Sequence, residues 1–287
     1  MEPLALTDPP GIERRDIATK GARVRIAYAG EGPAVVLLHD VLQSQLVWTE
    51  VFASLAARMR VVAIDLPGAG ESEKPPSARF SYAFSAFAES VADVVAALDL
   101  GRVALVGHGL GAAVALACAA SHPSLATKLV LVAPTVYVDG QSPLDRLAKV
   151  PLFGPMAIKQ LVGFSEFRRY FREYVYAESA RVPAARVRAH FDRFSSPAGR
   201  EATFATLRAT SDRRPVVALV PRVRQDTLVV TGRMDRLVPT SHGRRLAREL
   251  TQARLIAVDA GHSPPEEAPE EFASVVLDFL APRGRAR

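Results

Sequence analysis

One cysteine in 287 residues, Cys118, excludes an internal disulfide, and its place among alanines predicts a buried core thiol rather than a reactive one. No apolar run approaches the ~20 residues that a membrane span requires. The opening residues, MEPLALTDPPGIERRD, lack a basic segment followed by an apolar core, so no secretory leader is expected. These two absences give a cytoplasmic reading with no membrane partner. Aromatic residues are sparse, at 7%. The net charge of +6 comes from basic residues scattered along the chain, with no dense block and little aromatic interleaving. Arginine far outnumbers lysine, a compositional bias rather than a binding signal, and no nucleic-acid partner is expected. Internal repeats and low-complexity tracts are also absent.

What is present is an ordinary globular balance, 49% hydrophobic and 23% charged, in a chain long enough to bury roughly three quarters of its unfolded surface. DIATKGARVRIAYAG alternates around Lys20-Gly21 as a β-hairpin does. Short continuous apolar runs follow, each of a strand buried on both faces: Ala34 to Leu38, 61–65, 103–106, 128–133, 226–231 and 254–258. Helical spacing separates them, around 49–59, 85–98, 109–121, 241–250 and 269–280. Alternating buried strands and amphipathic helices predict a mostly parallel eight-stranded sheet with helices on both faces. From 138 to 220 the rhythm breaks into proline-punctuated helical stretches rich in Phe, Tyr and Arg. The expected division is a core of 1–137 and 221–287 carrying a helical cap of 138–220. The tail PRGRAR reads as a solvated end.

Four strand-end loops converge on the edge of the sheet where open α/β folds bind ligands. They are His39-Asp40-Val41-Leu42, followed by Trp48; Asp65 to Ser72; Gly107-His108-Gly109-Leu110-Gly111; and the pair Gly232 to Pro239 with Gly261 to Glu267. The third has the frame of the G-x-S-x-G turn that presents a nucleophilic serine, but glycine stands in the middle.

With D-L-P-G-x-G-x-S at 65–72 and G-H-x-P-x-x-E at 261–267, the sequence resembles the α/β-hydrolase superfamily, in particular its small cap-bearing members. The resemblance runs from the hairpin to the last helix and implies the α/β-hydrolase fold. It assigns Asp235 to the acid and His262 to the base of a catalytic triad. It puts the nucleophile position at Gly109, which has no side chain, so the family's covalent route is closed. The oxyanion donors implied are the backbone N–H groups of Val41 and Leu110, and Asp40 stands where the family usually has glycine. An ionised Asp40 would repel an oxyanion; with a raised pKa it would act as acid or base, and otherwise it bonds nearby backbone. Trp48 and His108 are the candidate substrate contacts, with packing beside the loops as the other reading. Arg168, Arg169 or Arg172 could meet an anionic substrate. No metal and no cofactor is implied.

The expected partner is a small, mostly apolar molecule, in a cavity between Gly109 and the cap that opens to Asp40, bound by a monomer or homodimer. The expected chemistry is non-covalent acid–base catalysis (a lyase, a cyclase or water activation), with neutral His262 accepting a proton and activity rising as His262 deprotonates. The competing readings are a catalytically inactive ligand-binding or regulatory member, and a hydrolase disabled by a serine-to-glycine exchange.

Overall fold

The computed structural model describes residues 11–137, 143–151, 153–177 and 184–281. The N-terminal lead-in before residue 11 and the basic tail lie outside the described residues. β1 (Glu13–Ala18) and β2 (Arg23–Ala29) form the hairpin, with Ile17 opposite Val24. β3 (Ala34–Leu38), β4 (Arg60–Ile64), β5 (Val103–His108), β6 (Ala126–Val132), β7 (Asp226–Gly232) and β8 (Ala253–Val258) follow. The sheet order is β1-β2-β4-β3-β5-β6-β7-β8, antiparallel across the first two pairings and parallel from β4 to β8.

Period-two alternation sends neighbouring side chains into two different cores. Val36, Leu38, Leu105, Leu129 and Val229 pack on one face beneath α2 (Phe84–Ala97) and α3 (Leu110–Ser121). Val35, Leu37, Val106, Val130 and Val230 pack on the other, against α1 (Thr49–Ala56) and the C-terminal helix over Pro269–Leu280. Because both faces are covered, the central strands are apolar at almost every position, and β5 is buried throughout.

Helix α3 has the sequence LGAAVALACAAS, and every residue but its last is buried. Small side chains let it lie close to the sheet. A Cβ on Gly111 would come within 2.3 Å of the Leu38 carbonyl oxygen, so only glycine permits this approach. Cys118 is buried there, and burial pushes its thiol up to about 12.

Between β6 and β7 the described residues form helices: α4 (Pro143–Ala148), α5 (Phe153–Met156) continuing into a wide π turn (Ala157–Leu161), α6 (Phe164–Tyr170) continuing into another (Phe171–Val175), then α7 (Ala184–Phe194), α8 (Pro197–Ala209) and α9 (Arg214–Val217). The cap has its own aromatic core. Phe167 stacks on Phe171 and Phe194 at centroid distances of 4.7 and 5.5 Å. The remaining helices, α10 (Thr240–Glu249), α11 (Pro264–Glu267) and α12 (Pro269–Leu280), close the core. No helix among the described residues is long and apolar enough to cross a membrane.

The Gly111 contact sets the height of α3 above β3, and with it the turn at Gly109. Gly111→Ala is expected to destabilise the protein by about 3 kcal/mol or more, read as the urea midpoint shift at unchanged slope.

Candidate active site

The turn from β5 into α3 places Gly109 at φ 53° and ψ −111°, a backbone conformation in which a side chain is strained. The space above it is filled from another loop. A Cβ on Gly109 would meet the three carboxyl atoms of Asp40 at 2.1 to 2.4 Å. Asp40, just past the end of β3, therefore projects its carboxylate into the volume that a side chain at 109 would claim.

Two contacts hold it there. The Leu110 backbone N–H donates to Asp40 Oδ1 at 2.6 Å, and His262 Nε2 donates to Asp40 Oδ2 at 3.0 Å. On the other side of the ring, His262 Nδ1 donates to Asp235 Oδ2 at 2.9 Å. Asp235 is aimed by its own loop after β7, where Oδ1 accepts from the N–H groups of Leu237 and Val238, both at 2.8 Å. The imidazole thus lies between two carboxylates. Its side chain and that of Asp235 are each 1% exposed, and that of Asp40 9%.

Burial works against charge on His262, but the Asp235 and Asp40 carboxylates outweigh it and raise His262 to about 10. Burial also raises Asp40; the hydrogen bond and charge of His262, helped by the Leu110 N–H, bring it down to about 2. At neutral pH the site is carboxylate, imidazolium, carboxylate. A neutral His262, expected from the sequence, is not what this surrounding favours. The reason is Asp40, a second negative neighbour from a loop far away in sequence.

Neither His108 nor Trp48 lines the cap cavity or the small space beside Leu110. His108 is fully buried; its Nε2 donates to the His262 carbonyl oxygen at 2.6 Å, and burial with the nearby His262 charge pushes it down to about 4. Trp48 lies in the lower core against Phe272. Of the oxyanion donors, Leu110 N–H is already engaged by Asp40. Val41 borders a small space, about 20 Å³, together with Leu42 and Leu110. Asp40, His108 and His262 have potential ligand atoms within 4.8 Å of one another, the one such group among the described residues. There the histidine proton already bridges to Asp40, the place that a cation would have to take.

A cavity of about 460 Å³ lies inside the cap, lined by Leu144, Leu147, Ile158, Phe167 and Leu207 with Arg169 at its edge. Gly109, Asp40 and His262 do not line it, in contrast to the expectation of a cavity open to Asp40. Leu42 and Thr203 border both this cavity and the small space beside Leu110. Leu42 has φ 62°, a left-handed conformation that costs a leucine energy and that no pattern in the sequence signals. Arg168 and Arg172 are exposed outside the cavity.

A second buried cluster was not foreseen. Glu266, 2% exposed, accepts from Ser263 Oγ at 2.8 Å, Tyr176 Oη at 3.0 Å, His190 Nε2 at 3.2 Å and Gln43 Nε2 at 3.3 Å, with Arg186 at 3.8 Å. It fastens the middle of the cap, at Tyr176 and α7, to the loops that carry Asp40 and His262. Glu267 accepts from the N–H groups of Ala177, Gly261 and Ser263 and fixes the backbone beside His262. The only sequence cue was an adjacent pair of acids in the histidine loop.

Two outcomes are expected. His262 binds its proton more tightly on folding, so its contribution to stability is complete below pH 6.5 and is lost as pH rises through about 10; that of Asp40 is complete above pH 3.8 and is lost as pH falls through about 2. Stability measured by urea unfolding should fall by roughly 3 kcal/mol more between pH 7 and 10 in the native protein than in His262→Gln. In a double-mutant cycle, Gly109→Ser alone should destabilise by about 2–4 kcal/mol because it meets the Asp40 carboxyl. Adding Asp40→Gly should return about 2 kcal/mol of that loss.

The alpha/beta hydrolase fold family matches residues 33–269. An uncharacterised protein of Mycobacterium tuberculosis is 29% identical, the alignment covering 98% of this chain and 84% of the relative. The 2-hydroxymuconate semialdehyde hydrolase of a Pseudomonas species, strain CF600, is 28% identical with 93% of each chain covered. Among solved structures, the 2-hydroxy-6-oxo-6-phenylhexa-2,4-dienoate hydrolase of a Rhodococcus species, strain RHA1, superposes with a TM-score of 0.80 at 21% identity, over 94% of this chain and 98% of the other. The family match spans β3 to β8, the cap and the loops that carry Asp40, Gly109, Asp235 and His262. The chain belongs to the α/β-hydrolase family.

Proposed function

We propose that this family member is a non-covalent acid–base enzyme acting on a small, mostly apolar molecule, with Asp40 in the place the family gives to its nucleophile. The observation that carries this reading is the position of the Asp40 carboxylate: in the volume above Gly109, on the Leu110 N–H, and 3.0 Å from His262. A group so placed faces what a nucleophile would face. Since Asp40 is charged and His262 protonated, the roles become carboxylate base and imidazolium acid.

In such a step Asp40 takes a proton from a substrate carbon or from water, while His262 Nε2 gives its proton to the oxygen that gains charge. The two pKa values are consequences of each other, so as His262 releases its proton the charge that weakens Asp40 as a base disappears. Asp235 holds Nδ1 throughout. After product leaves, the proton on Asp40 returns to His262 across the contact they share, and the starting state is restored. Elimination, cyclisation and enolisation have this form. Acyl transfer does not, because it needs the Leu110 N–H free and a neutral or positive surrounding for the oxyanion, whereas this site carries one net negative charge. The apolar cap cavity supplies the binding surface, and Leu42 has to yield for a ligand to reach Asp40.

The alternative reading, a ligand-binding member without turnover, is favoured by one observation: the cavity wall excludes the acid–base groups. Deuterium uptake from D₂O into a panel of apolar, enolisable ketones and lactones, followed by NMR, separates the two readings. The acid–base reading expects exchange that falls ~10²- to 10⁴-fold in His262→Ala and in Asp40→Asn, and by a comparable factor in Asp235→Asn. The rate should decline as pH rises toward about 10, where the imidazolium is lost. No covalent adduct should appear by mass spectrometry. Full-rate exchange by His262→Ala would end the proposal, and saturable binding without exchange would establish the alternative.

A further inference from the structure

Six large apolar side chains stand exposed among the described residues, and four of them fall in one stretch of the cap: Val150 at 44%, Phe153 at 49%, Met156 at 43% and Leu161 at 56%. They recur about one turn apart, Phe153 to Met156 along α5 and Met156 to Leu161 across the wide π turn. On the opposite side of the same segment Gly154, Ala157 and Ile158 are buried. The segment is therefore amphipathic, with its second apolar side turned outward.

This ridge borders the cap cavity, since Phe153 and Leu161 also line it. Cations outnumber acids around it: Glu166 and Glu173 line the cavity beside Arg169, and Arg172 pairs with Glu173 at 3.6 Å. Arg146 and Lys149 precede Val150, and Arg168, Arg169 and Arg172 follow on α6 and the turn after it, all exposed. Lys159 turns inward, paired with Glu201 over the Phe204 ring. From 143 to 175 the sequence holds six basic residues against three acidic, a disproportionate share of the net charge of +6.

We infer that this ridge is a peripheral docking surface for an anionic lipid bilayer, seated by the four apolar side chains and held by the cations around them. Apolar side chains flanked by lysine and arginine are what an interfacial segment presents to a membrane surface. A second copy of the chain is disfavoured as the occupant, because a two-fold contact here would bring two positively charged rims together. The apolar cavity behind the ridge could then receive a lipophilic molecule directly from the bilayer. The absence of a spanning helix does not bear on a surface contact of this kind, and the sequence, read for spans and leaders, gave no sign of it. The inference stands apart from the acid–base chemistry, since vesicle binding is read without turnover.

The test is co-sedimentation of the full chain with vesicles of phosphatidylcholine alone and of phosphatidylcholine with one third phosphatidylglycerol. Binding to the anionic vesicles is expected, with weak binding to the neutral ones and loss at high salt. Val150→Asp/Met156→Asp, at two exposed positions outside the cavity lining, should abolish binding while thermal unfolding stays unchanged. Arg146→Gln/Lys149→Gln should weaken it about 25-fold, roughly fivefold for each cation removed. Absence of binding to either vesicle, or binding that both variants retain, would overturn the proposal. So would a dimer in sedimentation velocity that Val150→Asp/Met156→Asp dissolves in a protein that ignores vesicles; the ridge would then be an interface between copies.

Discussion

The arrangement at the sheet edge depends on one carboxylate. Asp40 lies in the space above Gly109, takes the Leu110 N–H and shares the His262 proton. Each contact removes a cost that the others would impose. A buried carboxylate without partners would be expensive to hold in the interior. The Leu110 N–H, at the start of α3, would otherwise lack a partner inside the helix. A histidine with only one carboxylate would have no strong reason to stay charged. Together they form an ionic chain that is stable because every end is tied.

This dependence ties positions 40 and 109 together although they are 69 residues apart in sequence. Any side chain at 109 collides with the Asp40 carboxyl, and glycine at 40 would leave the space above 109 empty. The carboxylate at 40 and the lack of a side chain at 109 are thus two halves of one steric arrangement.

Much of the fold was legible in the sequence because burial on both faces forces continuous apolar runs. Val35 to Leu38, Leu105 and Val106, and Leu129 to Val132 announce strands whatever surrounds them. Asp235 and His262 were legible too, as both sit in loops with recognisable local chemistry after consecutive strands. The charge of His262 was not, because it depends on Asp40 arriving from another strand end. The Glu266 cluster was hidden for a related reason: Arg186 and His190 lie in an arginine-rich helix, and they are buried by partners distant in sequence, Leu46 and Glu50 for Arg186 and Phe171 and Glu266 for His190. Leu42 shows the limit most plainly. Leucine gives no local hint of a left-handed conformation; Leu42 takes it as the third residue of the turn that Gln43 N–H closes on the Asp40 carbonyl oxygen at 3.2 Å.

The bonds to Glu266 tie the cap to the ionic chain. Gln43 and Ser263 both donate to Glu266, and each lies within three residues of a group in the ionic chain. Tyr176 and His190 donate to the same carboxylate from the cap. A ligand that shifts the cap must therefore either stretch these bonds or carry the Asp40 and His262 loops with it. Stretching leaves a fully buried carboxylate short of donors, a large cost in a dry interior. One carboxylate, Glu266, therefore joins Tyr176 and His190 of the cap to the loops that carry Asp40 and His262.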